Sequence, residues 1–487
     1  MVLSSVIAVI VVSSIVISNA TKFNVNAHEA VPGGSWFSGE DYSYEPVTPV
    51  IPGEDGENKE ISTNTQNDSY LSLTSSTFSY PAIRLNIERG LLNSAKKSLR
   101  TEEVLNYFQY GYENETDSPL TSFIELEKSP WNEDSYLASV VVKAKESNVT
   151  NIKNNIVFLV DVSGSMREVM PLVKTSLYSL IDNLHKDDVV SMVTYASGVN
   201  TVFSGVPGND KLKLNYEVKN LVADGATFGS GGIELAYSVA NDYFIEGGNN
   251  RVILFTDGDF NIGKVRDKEL ENLISQKAQS GIYLTCCGYR STFENSTMKT
   301  LADHGNGNAY FIDGEFEAEK VFIKEIGKTR DVVAKDAKCQ VVFNKANVDT
   351  FRLIGYETRQ ISEETFNDSN ADTGEIASGH TTVALYEIKL KQEMVDEFIL
   401  YTRLKYKDPQ TNEESSIENF KKDITVSRPV DYDFMGYVAE YCLTLGDNQY
   451  KGASSYDHLL SRINSSYIND EYRDNFISIV NKTKSLS

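Results

Sequence analysis

Between residues 155 and 329 the chain repeats one pattern, in which a short apolar run precedes an amphipathic helical segment. The runs carry hydrophobic residues at consecutive positions, as in 156–160 and 252–255, so both faces of each strand must be buried. Repeated strand–helix units of this kind form a parallel sheet that helices cover on both faces. The pattern predicts a doubly wound, mostly parallel, Rossmann-like α/β fold, and about 175 residues suit one such domain.

The segments on either side have other patterns. Residues 123–145 alternate and are rich in β-branched side chains, with Pro130-Trp131-Asn132 as a break between two strands. Beyond Asp331 the pattern is again that of strands, and from Tyr432 it becomes helical. We expect the two β regions to pair, which makes the α/β domain an insertion into a β-rich accessory domain. The predicted organisation is a signal peptide at 1–20, a disordered or low-complexity leader at 21–70, an accessory region of helices and then strands at 71–152, the α/β domain at 153–330, a β-rich domain at 331–430 and a C-terminal helical segment at 431–487.

The first twenty residues resemble an export signal. Residues 2–17 are almost wholly apolar or Ser, and Ser18-Asn19-Ala20 offers small residues at the positions that a signal peptidase reads. About 17 apolar positions is the short limit for a membrane span, so we expect cleavage, with an uncleaved anchor as the alternative. The expected location is extracellular or at the cell surface, or periplasmic if the host is bacterial.

The charge balance excludes two classes of partner. The chain has 46 Lys and Arg against 69 Asp and Glu, a formal net charge of −23. This charge repels nucleic acid and anionic membranes, and the basic residues form no compensating stripe. We expect no nucleic-acid partner and no membrane contact beyond an N-terminal anchor.

The four cysteines are too few to form a disulfide framework in a chain of 487 residues. Cys286 and Cys287 are neighbours in a strand and point to opposite faces, which disfavours a bond between them. Buried free thiols are expected, and a Cys339–Cys442 bridge is the alternative.

Five residues with oxygen-bearing side chains fall at strand ends, or in the loops beside them, along one edge of the predicted sheet: Asp161, Ser163, Ser165, Thr227 and Asp257. In open α/β sheets, ligands collect at the carboxyl ends of the strands. The set contains no His and no Cys, which favours Mg²⁺, or Mn²⁺ or Ca²⁺, over zinc. Two carboxylates only balance the charge of such a dication, so the ion can keep an open, electrophilic coordination position. An acidic side chain of a partner protein can fill that position.

This arrangement resembles the metal-ion-dependent adhesion site of von Willebrand factor A and integrin inserted domains. The resemblance rests on Asp161-X-Ser163-X-Ser165 at the end of an apolar strand, followed by Thr227 and Asp257 in later loops. It implies that the Ser and Thr hydroxyls bind the ion and that the Asp residues act directly or through water.

A second resemblance covers residues 70 to 487. The chain is similar to the YfbK-type family of exported A-domain proteins, which have an N-terminal accessory region and a C-terminal domain of unknown function. The segments that carry the resemblance are Ser76-Thr77-Phe78-Ser79, Arg100-Thr101-Glu102-Glu103, Asn106-Tyr107-Phe108, Pro130-Trp131-Asn132, 247–254, Leu353-Ile354-Gly355-Tyr356-Glu357 and 451–456. After Ser79 the chain is several residues shorter than the family's usual acidic segment.

Signatures of enzymes are weak in this sequence. It has no Gly-X-Ser-X-Gly elbow, no His-Glu-X-X-His, no phosphate loop that ends in Gly-Lys-Ser/Thr and no dinucleotide fingerprint after a strand. We therefore expect a non-enzymatic protein that recognises an acidic group through a divalent metal. One alternative is a subunit of a metal-dependent hydrolase or chelatase-type assembly. Another is a structural surface module in which the metal only ties the loops together.

Overall fold

A computed structural model describes residues 57–73, 76–146, 153–225, 229–258, 267–289, 296–325, 332–371, 373–374, 376–409, 411–424, 430–463 and 470–487. The predicted signal peptide and most of the predicted leader lie outside these ranges. Within them, no helix is both long enough and apolar enough to cross a membrane.

The strands follow one another along the chain as β1 (Ile61–Ser62), β2 (Asp68–Ser72), β3 (Leu120–Lys128), β4 (Tyr136–Ala144), β5 (Asn154–Asp161), β6 (Val189–Tyr195), β7 (Val199–Pro207), β8 (Asn249–Thr256), β9 (Ile282–Gly288), β10 (Ala309–Phe311), β11 (Val332–Phe343), β12 (Val348–Ile354), β13 (Ile376–Ala377), β14 (Thr381–Leu390), β15 (Leu400–Lys407) and β16 (Glu414–Lys421). The helices are α1 (Ser79–Glu88), α2 (Leu92–Lys97), α3 (Thr101–Leu105), α4 (Met170–Asp182), α5 (Lys211–Lys219), α6 (Gly229–Asp242), α7 (Asp267–Gln279), α8 (Ser296–His304), α9 (Glu315–Glu319), α10 (Glu363–Asn367), α11 (Val430–Leu445), α12 (Tyr456–Arg462) and α13 (Glu471–Leu486). A 3₁₀ turn spans Gly164–Glu168, and a π-helical turn spans Lys320–Glu325.

The predicted α/β fold is confirmed. Its sheet has six strands in the order β10-β9-β8-β5-β6-β7, and all neighbours are parallel except β6 and β7. Along β5, Ile156, Phe158 and Val160 face one apolar core, while Val157 and Leu159 face the other. Because successive side chains of a strand point to opposite faces, a continuous apolar run requires cover on both sides.

The antiparallel edge strand β7 was not predicted. Most of its side chains are exposed or half-buried, so it lacks the continuous apolar run that marks the central strands. A strand at the edge of a sheet needs burial on fewer sides, and its sequence is correspondingly more polar.

The flanking β regions form a sandwich around a shared apolar core. One sheet has the order β1-β12-β14-β4-β3, and the other has the order β13-β11-β15-β16 with β2 beside β11. The strand β4 precedes the α/β domain and β14 follows it, and they pair from Lys143↔Thr381 to Tyr136↔Ile388. The structure therefore contains the pairing across the insertion that the sequence pattern indicated.

The predicted leader boundary at residue 70 was wrong. Both β1 and most of β2 lie before it; β1 pairs with β12 and β2 pairs with β11, far along the chain. Local composition gives no sign of such long-range backbone pairing, so a polar segment can be mistaken for an unstructured one.

A helical layer covers the outer face of the first sandwich sheet. Helices α1, α3, α11 and α13 share a core with Leu137 and Val141 of β4. The start of α1 also reaches the α/β domain, where the Phe78 ring lies 5.4 Å from the Phe311 ring between centroids. The helical layer therefore contacts both the sandwich and the inserted domain.

A buried ion cluster strengthens this contact. The Arg84 guanidinium of α1 donates to Asp313 (2.6 Å) and to Glu317 (2.8 Å), at the end of the α/β domain. The three side chains are only 4%, 6% and 1% exposed. The Tyr107 hydroxyl also donates to Glu317 at 2.8 Å. Charges removed from water to this degree are stable only when their partners remain in place.

A second buried contact joins α3 to the end of β12. The Tyr356 amide donates to the Glu102 carboxylate (2.9 Å), and Glu357 lies beside the same carboxylate. Burial, and then the charge of Glu102, raise the pKa of Glu357 to about 7. Two carboxyl groups in one poorly solvated place cannot both ionise freely.

All four cysteines are buried and none forms a disulfide. The alternative bridge between Cys339 and Cys442 is therefore absent, and the expectation of buried free thiols is confirmed.

Removal of the Arg84 side chain should destabilise the protein strongly. Arg84→Ala leaves Asp313 and Glu317 buried without their cation, and we expect the free energy of unfolding to fall by about 3–5 kcal/mol. Urea unfolding followed by circular dichroism measures this change. The matched control is Arg403→Ala, which breaks a 2.7 Å pair with Glu418 whose side chains are 37% and 41% exposed; that loss should stay below about 1 kcal/mol. Equal losses in the two variants would contradict a special role for the buried cluster.

The titration of Glu357 should make stability depend on pH. Its carboxyl titrates near 4.5 in the unfolded chain and near 7 in the folded one, so the folded state holds the extra proton in between. The free energy of unfolding should therefore decrease as pH rises through this window. Glu357→Gln should flatten the decrease in urea unfolding between about pH 5 and about pH 8. The exposed Glu413→Gln is the control, and identical profiles for wild type and Glu357→Gln would refute the prediction.

Candidate functional site

The candidate site lies at the carboxyl end of β5, in the middle of the parallel sheet. Asp161 is the last residue of β5 and pairs in register with Tyr195 at the end of β6. The next residue, Val162, donates its amide to the Tyr195 carbonyl (2.9 Å) and accepts from the Asp224 amide (2.7 Å). The loop that follows α5 is therefore anchored beside the loop that follows β5.

A second backbone bond joins the same two loops, from the Gly164 amide to the Gly225 carbonyl at 2.9 Å. Gly225 has φ of +94°, and a Cβ atom there would lie 2.6 Å from the Ser197 hydroxyl. Only glycine adopts this conformation at so close an approach without strain. The loop that leads to Thr227 is thus positioned by backbone geometry.

The Asp161 carboxylate is buried and fixed on both oxygens. Its Oδ1 accepts from the Ser163 amide (2.8 Å), and its Oδ2 accepts from the Thr256 hydroxyl (3.2 Å). The Thr256 hydroxyl in turn accepts from the Gly258 amide at 3.0 Å. These bonds hold the carboxylate at the junction of the β5 and β8 loops.

The two serines that follow Asp161 lie close together. Ser163 Oγ and Ser165 Oγ are 3.0 Å apart, on the turn that opens the 3₁₀ segment Gly164–Glu168. Adjacent ligands of an octahedral ion with bonds of about 2.1 Å are separated by about 3.0 Å. The observed spacing is that of a hydrogen bond between the two hydroxyls, and it is also compatible with two neighbouring ligands of one divalent ion.

Of the two remaining predicted ligands, the structure describes only one. Asp257, directly after β8, is buried, and its charge acts on Asp161. Thr227 lies outside the described residues. The structure therefore brings Asp161, Ser163, Ser165 and Asp257 to one edge of the sheet.

Sequence analysis missed two residues that support the site. Thr256 holds Asp161 through its hydroxyl, and the buried Tyr195 side chain lies close enough for the Asp161 charge to act on it. A threonine directly before a strand-end aspartate was a usable signal. Nothing local marked Tyr195, because its role depends on the alignment of β6 with β5.

The electrostatics of the site favour a cation. Burial, and then the charge of Asp257, raise the pKa of Asp161, and hydrogen bonds from Ser163 only partly oppose this. Burial and the charge of Asp161 also hold the pKa of Tyr195 well above its usual range. A dication beside these groups would instead stabilise the ionised form of the carboxylates.

The donor chemistry is that of a hard divalent ion. Within the ranges that the structure describes, no three or more His, Cys, Asp or Glu side chains gather as a metal cluster. Hydroxyl oxygens supply part of the donor set instead, and such oxygens suit Mg²⁺ or Mn²⁺.

Family models match most of the chain. The model described as von Willebrand factor type A domain matches residues 155–326, and the model described as uncharacterized protein YfbK, C-terminal, matches residues 329–398 and 390–486. A further model, described as von Willebrand factor, matches residues 54–139. The first match covers the six-stranded sheet, and the second covers the C-terminal half of the sandwich with the last helices.

Three individual proteins illustrate what the chain is similar to. The uncharacterized protein YfbK of Escherichia coli (strain K12) is 33% identical over 442 residues, which are 84% of this chain and 76% of that protein. Inter-alpha-trypsin inhibitor heavy chain H3 of Mus musculus is 26% identical over 177 residues, 34% of this chain and 20% of that protein. Among solved structures, von Willebrand factor type A from Catenulispora acidiphila has a TM-score of 0.42 and 17% identity, and covers 69% of this chain and 81% of its own.

Proposed function

Because the chain belongs to the YfbK family of von Willebrand factor A-domain proteins, we propose that it is a non-enzymatic recognition protein. Its site binds a divalent ion, for which Mg²⁺ is the first candidate. The bound ion in turn binds an acidic side chain of a partner protein. The observation that carries the proposal is that the Ser163 and Ser165 hydroxyls lie together beside the fixed Asp161 carboxylate, with the buried Asp257 close enough for its charge to act on Asp161.

The five candidate ligands have distinct roles in this proposal. The hydroxyls of Ser163, Ser165 and Thr227 supply neutral oxygens, and Asp161 and Asp257 supply negative charge. Neutral donors leave the ion electrophilic, so that a carboxylate from outside adds favourable charge. A site made of carboxylates alone would satisfy the ion without a partner.

Hydrolysis needs a general base beside the metal, and none of the four described histidines lies there. His185 precedes β6 at the opposite edge of the sheet, and His304 contacts Ser275 between α8 and α7. His380 lies in the turn before β14, and His458 contacts Glu440 between α12 and α11.

We also propose that the protein is exported and acts outside the cytoplasm, at a cell surface or in an extracytoplasmic space. The support is the apolar segment 2–17 with small residues at 18–20.

Titration calorimetry of Mg²⁺, Mn²⁺ and Ca²⁺ into the purified chain tests the metal site. We expect one binding site in the wild type and none in Asp161→Asn or Asp257→Asn, because each loses a carboxylate charge. At about 100 times the dissociation constant, the ion should raise the free energy of unfolding by about 2.7 kcal/mol.

The control is Asp187→Asn, an exposed carboxylate between α4 and β6 at the opposite edge of the sheet. It should bind metal like the wild type. Binding that survives in Asp161→Asn would refute the proposed ligands. If Asp161→Asn also loses cooperative unfolding, the metal serves the fold, and the structural-module alternative is favoured.

The contact from Thr256 to Asp161 should tune metal affinity. Thr256→Val keeps the shape of the side chain but removes the hydroxyl that holds the carboxylate, and we expect Mg²⁺ to bind about tenfold more weakly. The control is Thr285→Val in β9, where the buried hydroxyl accepts from Arg251 at 2.7 Å and does not face the site. Equal metal affinity in Thr256→Val and the wild type would show that Asp161 needs no such support.

A further inference from the structure

We infer that Arg167 is a second anchor of the recognition site and that the partner presents two neighbouring carboxylates, one for the metal ion and one for this guanidinium. The inference rests on the proposed function, and it narrows the partner to a protein segment with paired acidic residues.

The position of Arg167 follows from the loops that form the site. It lies two residues after Ser165, on the same 3₁₀ turn. Its guanidinium extends toward Asp224, with Nη2 4.0 Å from Oδ1. Asp224 belongs to the loop that is bound to Val162 and leads to Thr227. Arg167 therefore lies over the junction between two of the loops that supply ligands.

The guanidinium is available to a partner. Arg167 and Asp224 are 73% and 87% exposed, and their separation of 4.0 Å is beyond hydrogen-bond length. No hydrogen bond joins the Arg167 side chain to any other residue that the structure describes. Exposed pairs of this kind contribute little to stability, so the stability of the fold does not depend on this arginine.

The chemistry of arginine favours a carboxylate as its ligand. A guanidinium presents several N–H donors in one plane and binds carboxylates in a bidentate manner. The rest of the chain, at a net charge of −23, repels an acidic partner. A positive charge on the same turn as Ser165 offsets this repulsion at the place where the partner must dock.

One carboxylate cannot easily serve both anchors. The candidate metal ligands include Ser163 and Ser165, whereas the Arg167 guanidinium extends toward Asp224, so the two anchors are separate groups. In an extended segment, side chains two residues apart project to the same side, about 7 Å apart. A segment with an acidic residue at each of two such positions therefore offers one carboxylate to each anchor.

The test uses three capped pentapeptides as probes: Gly-Asp-Gly-Asp-Gly, and the isosteric single acids Gly-Asp-Gly-Asn-Gly and Gly-Asn-Gly-Asp-Gly. Each is titrated into the full chain at saturating Mg²⁺ and again with EDTA, followed by NMR. We expect the double acid to bind about fivefold more tightly than either single acid, and only with Mg²⁺. In Arg167→Ala this preference should disappear.

Two further variants make the test specific. Lys186→Ala removes one exposed positive charge at the opposite edge of the sheet and should keep the preference. Asp224→Asn removes the acidic neighbour of Arg167 and should strengthen binding of the double acid about twofold, a gain that misfolding cannot produce. The Mg²⁺ affinity of each variant is measured separately, so that loss of the ion is not mistaken for loss of Arg167.

The outcomes separate the two proposals. If the wild type binds the single and double acids equally in Mg²⁺, or if Arg167→Ala keeps the preference, the second anchor is refuted and the metal-dependent function stands. If the wild type binds none of the peptides with Mg²⁺, or binds them equally in EDTA, the proposed function fails and the second anchor fails with it.

Discussion

Backbone pairing between β4 and β14 holds the two halves of the accessory sandwich together across the inserted α/β domain. Lys143, near the end of β4, pairs with Thr381 at the start of β14, next to the inserted domain. The Lys143 ammonium donates to the Gly379 carbonyl at 2.8 Å. The entropic cost of closing a loop grows only slowly with its length, so a folded domain can occupy the connection. The sandwich can therefore carry the inserted domain with its candidate site without losing its own core.

The helical layer then connects the parts, and several segments that resemble the YfbK-type family meet there. The Ser79 hydroxyl donates to the Glu103 carboxylate at 2.6 Å, which joins the start of α1 to α3. The Trp131 carbonyl accepts from the Ala453 amide at 2.9 Å, which joins the β3–β4 turn to the segment before α12. These short motifs are far apart in sequence, and these contacts bring them together in the fold.

The candidate site holds the Asp161 carboxylate in a buried position, where a negative charge is energetically unfavourable. Asp161 ends a fully buried strand, and its carboxylate lies near Asp257, so burial and repulsion both raise its pKa. Hydrogen bonds from Ser163 and Thr256 fix its orientation but do not remove the penalty. A divalent ion would compensate it, and the exposed Arg167 at the rim adds positive charge outside the ion itself. Recognition of acidic groups is the function that this distribution of charge supports.

The sequence by itself determined the parallel sheet and the local part of the site. Consecutive apolar residues in β5 required cover on both faces, and the spacing of Asp161, Ser163 and Ser165 placed three donors within one turn. Both are short-range properties, which period and spacing express directly. Only the tertiary structure decided the rest, including the edge strand β7, the pairing of β1 and β2, and the contact of Thr256 with Asp161. These depend on which strands become neighbours, and backbone pairing between distant segments leaves no mark in the local pattern of residues.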